Sequence, residues 1–279
     1  MQFRDLIWEQ KYNRFFKTFN IGNFDLYQLD GGSGFYHNAR IIDELTKNGK
    51  TILCAYYGSD LRVRGIIPEI DALSICNFTF EDDHKDLYPG INVLPKPFDF
   101  TNFNYTSTVG RTPVIIGHAP SYRANKGTEY ILNVLNELKR SYPIELLLIE
   151  HKPYQKALEL KSTCCLFIDQ ISDWGYGLNA VESMAMGIPT FSSLTNYFKK
   201  TNQYAPIIEI TKDTLKEQLL PFITSPELRQ TVGEQSKKWI QQEHDAETVV
   251  KKLLETVAKY APQLSEMIQQ TLHNQQLAN

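Results

Sequence analysis

The stretch from Asp169 to Thr190 reads DQISDWGYGLNAVESMAMGIPT. The apolar run LFID leads into it and predicts a short strand. Gly175 and Gly177 then mark a turn, where the backbone bends tightly or approaches a ligand closely. The run NAVESMAM predicts a helix of small residues, which the Gly-Ile-Pro sequence ends before the next strand. A strand, a glycine turn, a helix and a strand are the parts of a parallel α/β unit.

The same alternation runs along most of the chain. Apolar runs of strand length stand at residues 24–29, 51–57, 114–117, 144–149 and 165–168, with helical patterns between them. The polar, turn-rich sequence DFTNFNYTSTVGRT interrupts this rhythm at residues 99–112 and predicts a linker. We therefore predict an α/β fold with two Rossmann-like domains. The N-terminal domain, residues 1–108, is short or partial, and residues 109–279 form a C-terminal domain that ends in helices.

Composition excludes several classes of function. Of 279 residues, 42% are hydrophobic and 22% charged, and the formal net charge is −3. No global basic field attracts nucleic acid or an anionic membrane, so nucleic acid is not expected as a partner and peripheral membrane contact is not indicated. The charged N-terminus lacks an apolar signal core, and the four cysteines lack metal-ligand spacing. These features predict a cytoplasmic protein with reduced, buried cysteines.

Two cations follow the strand pattern VIIG. Arg123 and Lys126 stand three residues apart, directly before a predicted helix that begins near Gly127. Cations beside a helix N-terminus form a local anion site, which favours diphosphate binding. The alternative is a solvated basic loop whose side chains pair with nearby acids.

The glycine turn of the opening stretch is a second candidate anion site. The N–H groups of Leu178 and Asn179, at the start of its helix, can point at phosphate oxygens. Glu182 falls on the first turn and faces the same edge. The alternative is purely structural: with Asn179 as N-cap, Glu182 stands at the capping-box position.

Two segments resemble a known family. HAPSYRANKGTEYIL and IDQISDWGYGLNAVESMAMGIPT resemble the nucleotide-sugar-binding half of GT-B glycosyltransferases, most closely the retaining family 4 group. The matching signatures are the Arg-x-x-Lys pair and the run Gly-Leu-x-x-x-Glu-x-x-Ala-x-Gly-x-Pro. The resemblance is clear over residues 114–192 and weaker for AYYGSDLR in the N-terminal half.

The resemblance implies a hexosyltransferase that uses a nucleotide-diphosphate sugar. The acceptor is a glycan, a lipid-linked sugar or a protein, and polysaccharide biosynthesis is the expected context. Arg123 and Lys126 would hold the donor diphosphate as catalytic groups, with help from the N–H groups of Gly177 and Leu178. Glu182 would bind the ribose hydroxyls. The nucleotide sugar is a substrate, so neither a metal nor another cofactor is expected.

Further donor-side candidates are His118, at a strand end, together with Asp169, Tyr176 and Asn179. One position departs from the family. Many relatives have a glutamate eight positions before the ribose glutamate, and Trp174 stands there in this chain. Asp169 or Asp173 is expected to supply the missing contact with a sugar hydroxyl.

Candidates for the acceptor side are Gly32, Asp60 and Arg62, which follow predicted strands of the N-terminal half. A simple surface ion pair explains Asp60 and Arg62 equally well. His37 is a candidate catalytic histidine by position alone, and a surface histidine at a helix start is the competing interpretation.

Three other functions remain open from the sequence. The short N-terminal half and Trp174 also suit a degenerate protein that binds nucleotide sugars without transferring them. A nucleotide-sugar epimerase on the same fold and a structural scaffold are the other two alternatives.

Overall fold

The computed structural model describes residues 3–34, 39–101, 103–107 and 109–278, so the His37 candidate lies outside the described residues. The chain forms two compact units. The first unit comprises residues 1–80, 86–93 and 254–279, and the second comprises residues 81–85 and 94–253. Each unit is built around its own parallel sheet.

The first unit has four strands in its described sheet, arranged in chain order and all parallel: β1 (Leu26–Asp30), β2 (Thr51–Tyr56), β3 (Cys76–Thr79) and β4 (Asn92–Val93). Every residue of β2 is buried. A continuous apolar run such as TILCAY is typical of a parallel strand that is covered on both faces.

The second unit has a five-stranded described sheet: β5 (Val114–His118), β6 (Ile144–Leu148), β7 (Leu166–Gln170), β8 (Thr190–Ser192) and β9 (Ile208–Glu209). The spatial order is β6-β5-β7-β8-β9, and all pairs are parallel. The chain runs outward from β5 to β6 and then returns to the other side of β5 as β7. The sheet therefore has a topological switch point between β5 and β7.

Helices connect and flank the strands. They are α1 (Phe3–Thr18), α2 (Arg40–Lys47), α3 (Pro68–Asp71), α4 (His84–Leu87), α5 (Arg123–Lys126), α6 (Thr128–Leu138), α7 (Tyr154–Lys161), α8 (Leu178–Ala185), α9 (Asn196–Thr201), α10 (Leu215–Thr224), α11 (Pro226–Glu243), α12 (Ala246–Tyr260) and α13 (Ser265–Ala278). One face of α6 is apolar and buries Ile131, Leu135 and Leu138 against the second sheet. Among the described helices, none combines the length and the apolar character that crossing a bilayer requires.

The predicted α/β class with two Rossmann-like sheets is confirmed. All four cysteines fall within described residues, and each is buried with a free thiol.

The compact units divide the chain differently from the predicted boundary at residues 108 and 109. Residues from 94 onward belong to the second unit, and residues 254–279 belong to the first. Within the predicted linker, Phe103 and Tyr105 pack against the second core, and the Ser107 N–H donates to the Met186 carbonyl at 3.1 Å. Just before it, the buried Phe98 exchanges backbone hydrogen bonds with His244 and Ala246. Aromatic residues spaced through this polar stretch attach it to the core.

Candidate functional site

The switch point of the second sheet brings two loops together. The loop after β5 carries α5, and the loop after β7 carries the glycine turn that leads into α8. Ligands of open α/β sheets bind beyond the carboxyl ends of the strands, at the point where the strand order reverses. Residues on these two loops are therefore the ones to consider first.

Lys126, Asp169 and Gly177, here called the Lys126 cluster, join the two loops. The Nζ atom of Lys126 lies 3.1 Å from Oδ1 of Asp169, and the Gly177 N–H donates to Oδ2 at 2.6 Å. The Asp169 side chain is fully buried, whereas that of Lys126 is 12% exposed. A Cβ atom on Gly177 would stand 3.2 Å from the Lys126 Nζ atom, so a side chain there would crowd the ammonium group.

An irregularity in β7 directs Asp169 into this cluster. The pairing of β7 with β8 shifts register between Ile168 and Gln170, which leaves Asp169 out of the regular ladder. Such bulges redirect a side chain and are common beside active sites. A regular strand pattern gives no sign of this shift.

The helix α8 begins two residues earlier than the capping-box interpretation requires. Gly177 is the N-cap, and α8 starts at Leu178 with no side-chain cap. The Asn179 amide instead donates to the Ala119 carbonyl at 2.9 Å, and its Oδ1 atom accepts from Lys161 at 2.8 Å. The capping box formed by Asn179 and Glu182 is thus corrected, because glycine backbone takes the cap position.

Glu182 is held by a lysine that sequence reasoning missed. Lys161, the last residue of α7, donates to Oε2 of Glu182, and the two side chains are only 1% and 6% exposed. Burial lowers the pKa of Lys161, and the carboxylate of Glu182 opposes that shift. Burial, followed by the nearby carboxylate of Glu182, raises the pKa of Tyr154 to about 12. We call Lys161, Glu182, Asn179 and Tyr154 the Glu182 cluster.

An open groove of about 490 Å³ lies beside the Glu182 cluster. Tyr154 and Leu178, which are 55% and 49% exposed, form part of its wall. The other lining residues come from the predicted linker, its approach and α7: Pro97, Phe98, Asp99, Phe103, Asn104, Tyr105, Gln155 and Leu158. Its mixture of aromatic and polar side chains suits a flat, partly polar ligand.

Arg123 has partners of its own. Its guanidinium donates to Glu129 through Nε at 2.9 Å and to Glu150 through Nη1 at 2.9 Å. The Arg123 side chain is 40% exposed. Arg123 therefore makes the pairs with nearby acids that the alternative interpretation anticipated, and its carboxylate partners differ from that of Lys126.

His118 and Tyr176 are buried inside the second unit. The His118 ring is fully buried, with Nδ1 2.8 Å from the Ile168 carbonyl and Nε2 2.9 Å from the Thr128 hydroxyl. The buried Tyr176 hydroxyl lies 3.2 Å from Nε2 of His244. Donor binding by these side chains stays a prediction, and contact with a ligand would require at least one of these hydrogen bonds to break.

Asp169 and Asp173, the two candidates for the sugar-hydroxyl contact, differ in whether their carboxylates already have partners. The carboxylate of Asp169 is occupied by Lys126 and the Gly177 N–H, while Asp173 is exposed on the turn. Trp174, at the position where relatives have a glutamate, is partly buried, and its backbone N–H donates to the Ser172 hydroxyl at 3.4 Å.

The acceptor-side candidates of the first unit form part of its turns. Gly32 has a φ of +58°, and a Cβ atom there would collide with the Tyr56 hydroxyl. The Asp60 carboxylate accepts N–H groups of Tyr57, Gly58 and Leu61 at 2.8 to 2.9 Å. Asp60 thereby closes the turn after β2.

Arg62 and Arg64 lie on the short π-helix Asp60–Arg64 that follows β2. The Arg62 guanidinium is 3.1 Å from the position that a Cβ atom on Gly58 would take. Arg64, which sequence reasoning missed, donates to the Gly31 carbonyl and to the Ser33 hydroxyl, the latter at 2.8 Å. It links the turns after β1 and β2.

No protein family model and no curated protein sequence matches the chain. Several solved structures are similar to it in fold. HepE from Anabaena in complex with UDP has a TM-score of 0.61 at 12% identity, over 86% of this chain and 80% of that one. A glycosyltransferase from Rickettsia africae has a TM-score of 0.63 at 13% identity, over 92% and 80%.

The sucrose-phosphate synthase of Thermosynechococcus elongatus has a TM-score of 0.57 at 14% identity, over 97% of this chain and 80% of that one. The chain shares the fold of GT-B glycosyltransferases. At such identities the likeness extends to the fold and leaves the roles of single side chains to the geometry of this chain.

Within the described residues, no group of three or more His, Cys, Asp or Glu side chains is arranged to hold a metal ion. The expectation of a reaction without metal or further cofactor stays a prediction.

Proposed function

We propose that the chain is a glycosyltransferase that takes a hexose from a nucleotide-diphosphate sugar and transfers it to a hydroxyl acceptor. The observation that carries this proposal is the Lys126 cluster, a reachable ammonium group beside the N-terminus of α8 at the switch point of the sheet. A cation and a helix N-terminus together attract a phosphate group.

In the proposed complex, Lys126 holds the donor diphosphate. An ammonium group has three N–H donors, and the structure assigns one of them to Asp169. The remaining donors and the N–H of Leu178 face the phosphate oxygens. They stabilise the negative charge that grows on the leaving diphosphate as the sugar–phosphate bond breaks. Asp169 keeps the ammonium in place, since a buried carboxylate fixes the position of its partner.

The Glu182 cluster is the proposed ribose site. A carboxylate offers about four lone-pair positions, so Glu182 can accept ribose hydroxyls while it keeps the bond from Lys161. The adjoining groove, with its exposed Tyr154 and Leu178, is the proposed place of the nucleobase. Similar folds in complex with UDP and with UDP-glucose, both of HepE, support a nucleotide-sugar donor.

The finer features of the reaction belong to the proposal as well. We propose a retaining, metal-independent transfer to a glycan, a lipid-linked sugar or a protein, in the context of polysaccharide biosynthesis. In a retaining reaction the leaving phosphate itself can take the acceptor proton, and a separate base is then unnecessary.

A thermal-shift screen with UDP-, GDP-, ADP- and CMP-sugars tests the donor site. A ligand present at about 100 times its Kd stabilises the folded state by about 2.7 kcal/mol, so one nucleotide class should raise Tm clearly. Lys126→Ala should abolish most of that shift and lower turnover by about 100-fold or more. Lys199→Ala is the matched control, because it removes a lysine charge from an exposed pair with Glu209 in the same unit. If no nucleotide sugar raises Tm, the proposed function is wrong.

Product analysis separates transfer from its rivals. Incubation of a bound nucleotide sugar without an acceptor should leave the sugar configuration unchanged; a changed sugar would indicate an epimerase. Tight binding without turnover across a broad panel of acceptors would indicate a binding protein.

A further inference from the structure

Asp82 is a buried acid without a partner. It lies between β3 and α4, in the segment 81–85 that belongs to the second unit, and is 7% exposed. Among the described residues, its carboxylate makes no hydrogen bond and no ion pair. Its Oδ2 atom lies 3.8 Å from the position that a Cβ atom on Gly175 would occupy, so it faces the glycine turn before α8.

The charges around Asp82 compensate its own charge only in part. Burial raises its pKa to about 6, Lys96 opposes that shift, and Glu81 and Asp83 add to it. The Nζ atom of Lys96 lies 3.8 Å from Oε1 of Glu81 and 4.7 Å from the centre of the Tyr176 ring. A mostly buried carboxylate loses hydration, and hydrogen-bond donors offset that cost, so Asp82 is a candidate acceptor for the donors of a ligand.

Asp82 and the Lys126 cluster flank the same turn. Asp82 faces Gly175, and the Lys126 ammonium lies 3.2 Å from the Cβ position of Gly177. Two residues of chain span at most about 7 Å. Gly175 has a φ of +76°, and a Cβ atom there would approach the Thr195 methyl group at 3.1 Å, so glycine keeps the turn narrow beside Asp82.

We infer that Asp82 binds a hydroxyl group of the sugar of the donor, on the side of the glycine turn opposite the site of the diphosphate. An ionised carboxylate only accepts hydrogen bonds, and the hydroxyl groups of a hexose ring are hydrogen-bond donors. Asp173, which is on the turn itself, is exposed, and Asp169 is occupied. This inference rests on the proposed nucleotide-sugar donor and identifies the group that distinguishes the sugar from the bare nucleotide.

The test compares two ligands in three proteins. Calorimetry measures the Kd of the nucleoside diphosphate and of its nucleotide sugar for the natural chain, Asp82→Asn and Asp213→Asn. Asp82→Asn should weaken binding of the nucleotide sugar about tenfold, the effect of one charge-assisted hydrogen bond, and leave the diphosphate within twofold. Asp213→Asn is the control: it removes the same charge from an exposed acid elsewhere in the second unit and should change neither Kd.

Nucleotide sugars that lack one ring hydroxyl refine the test. The natural chain should bind one of these deoxy analogues about tenfold more weakly, whereas Asp82→Asn should not distinguish it from the parent sugar. If Asp82→Asn proves poorly folded, Asp82→Ser is measured in its place.

The outcomes are distinct. Equal affinities of the natural chain and Asp82→Asn for the nucleotide sugar would overturn the inference. So would a rise in the KM of the acceptor alone, which would assign Asp82 to the acceptor. If the natural chain binds neither the diphosphate nor any nucleotide sugar, the proposed function itself fails, and the inference fails with it.

Discussion

The strand ends of the two units differ in how far they satisfy their own polar groups. In the first unit, Asp60 accepts three backbone N–H groups, and Arg64 bonds to Gly31 and Ser33. In the second unit, the ammonium of Lys126 has one described carboxylate partner and stays partly exposed, and Asp82 has no partner among the described residues.

This difference distinguishes structural polar groups from those that await a ligand. A turn whose donors and acceptors pair with each other is stable without further molecules. A partly buried cation and a mostly buried carboxylate both pay a desolvation cost that a bound ligand can offset. Such groups are common at functional sites. We expect substitutions in the second unit to change ligand binding and those in the turns of the first unit to change stability.

The largest expected effect comes from the buried pair of Lys161 and Glu182. Lys161→Met leaves a nearly buried carboxylate without its cation, which should lower the free energy of unfolding by about 3–5 kcal/mol. Urea unfolding followed by circular dichroism measures this loss.

The double variant Lys161→Met with Glu182→Leu is the control for that measurement. Replacing both partners of a buried pair by apolar side chains is often neutral, so most of the lost stability should return. The double variant should still fail to bind the nucleotide, because it lacks the carboxylate proposed to accept the ribose hydroxyls. A loss below about 1 kcal/mol in the single variant would mean that water reaches the pair.

The strand, turn and helix at residues 169–190 could be predicted from the sequence because their signals are local. Alternating apolar runs and glycines lie next to the elements that they define. The exact start of α8 was missed, since Asn179 is a good N-cap by residue type and tertiary contacts with Ala119 and Lys161 use its side chain elsewhere.

The partners within the site could not be predicted from local patterns. Lys161 stands 21 positions before Glu182 and ends an ordinary amphipathic helix, and Asp82 approaches Gly175 from a distant part of the chain. The contacts of the predicted linker could not be predicted for a related reason. Its polar composition hid Phe103 and Tyr105, whose burial depends on where the rest of the second unit lies.

A smaller effect is expected from Arg123, the more exposed of the two predicted cations. Arg123→Ala removes a guanidinium that already pairs with Glu129 and Glu150. We expect turnover to fall about tenfold, the effect of one charge-assisted hydrogen bond, with Tm unchanged. Steady-state kinetics beside Lys126→Ala measures the contrast. Equal losses in the two variants would show that both cations hold the diphosphate, whereas normal turnover in Arg123→Ala would reduce its role to a surface ion pair.

The smallest expected effect tests the first unit. Asp60→Ala leaves three N–H groups of the turn after β2 without their acceptor and should lower the free energy of unfolding by about 1–2 kcal/mol. Asp60→Asn keeps one acceptor oxygen and should lose less, and Ser59→Ala, on an exposed neighbour, should lose least. Thermal unfolding and the KM of the acceptor are measured for all three variants. A raised acceptor KM in Asp60→Ala at unchanged stability would make Asp60 a substrate-binding group, and the contrast between the strand ends of the two units would no longer hold.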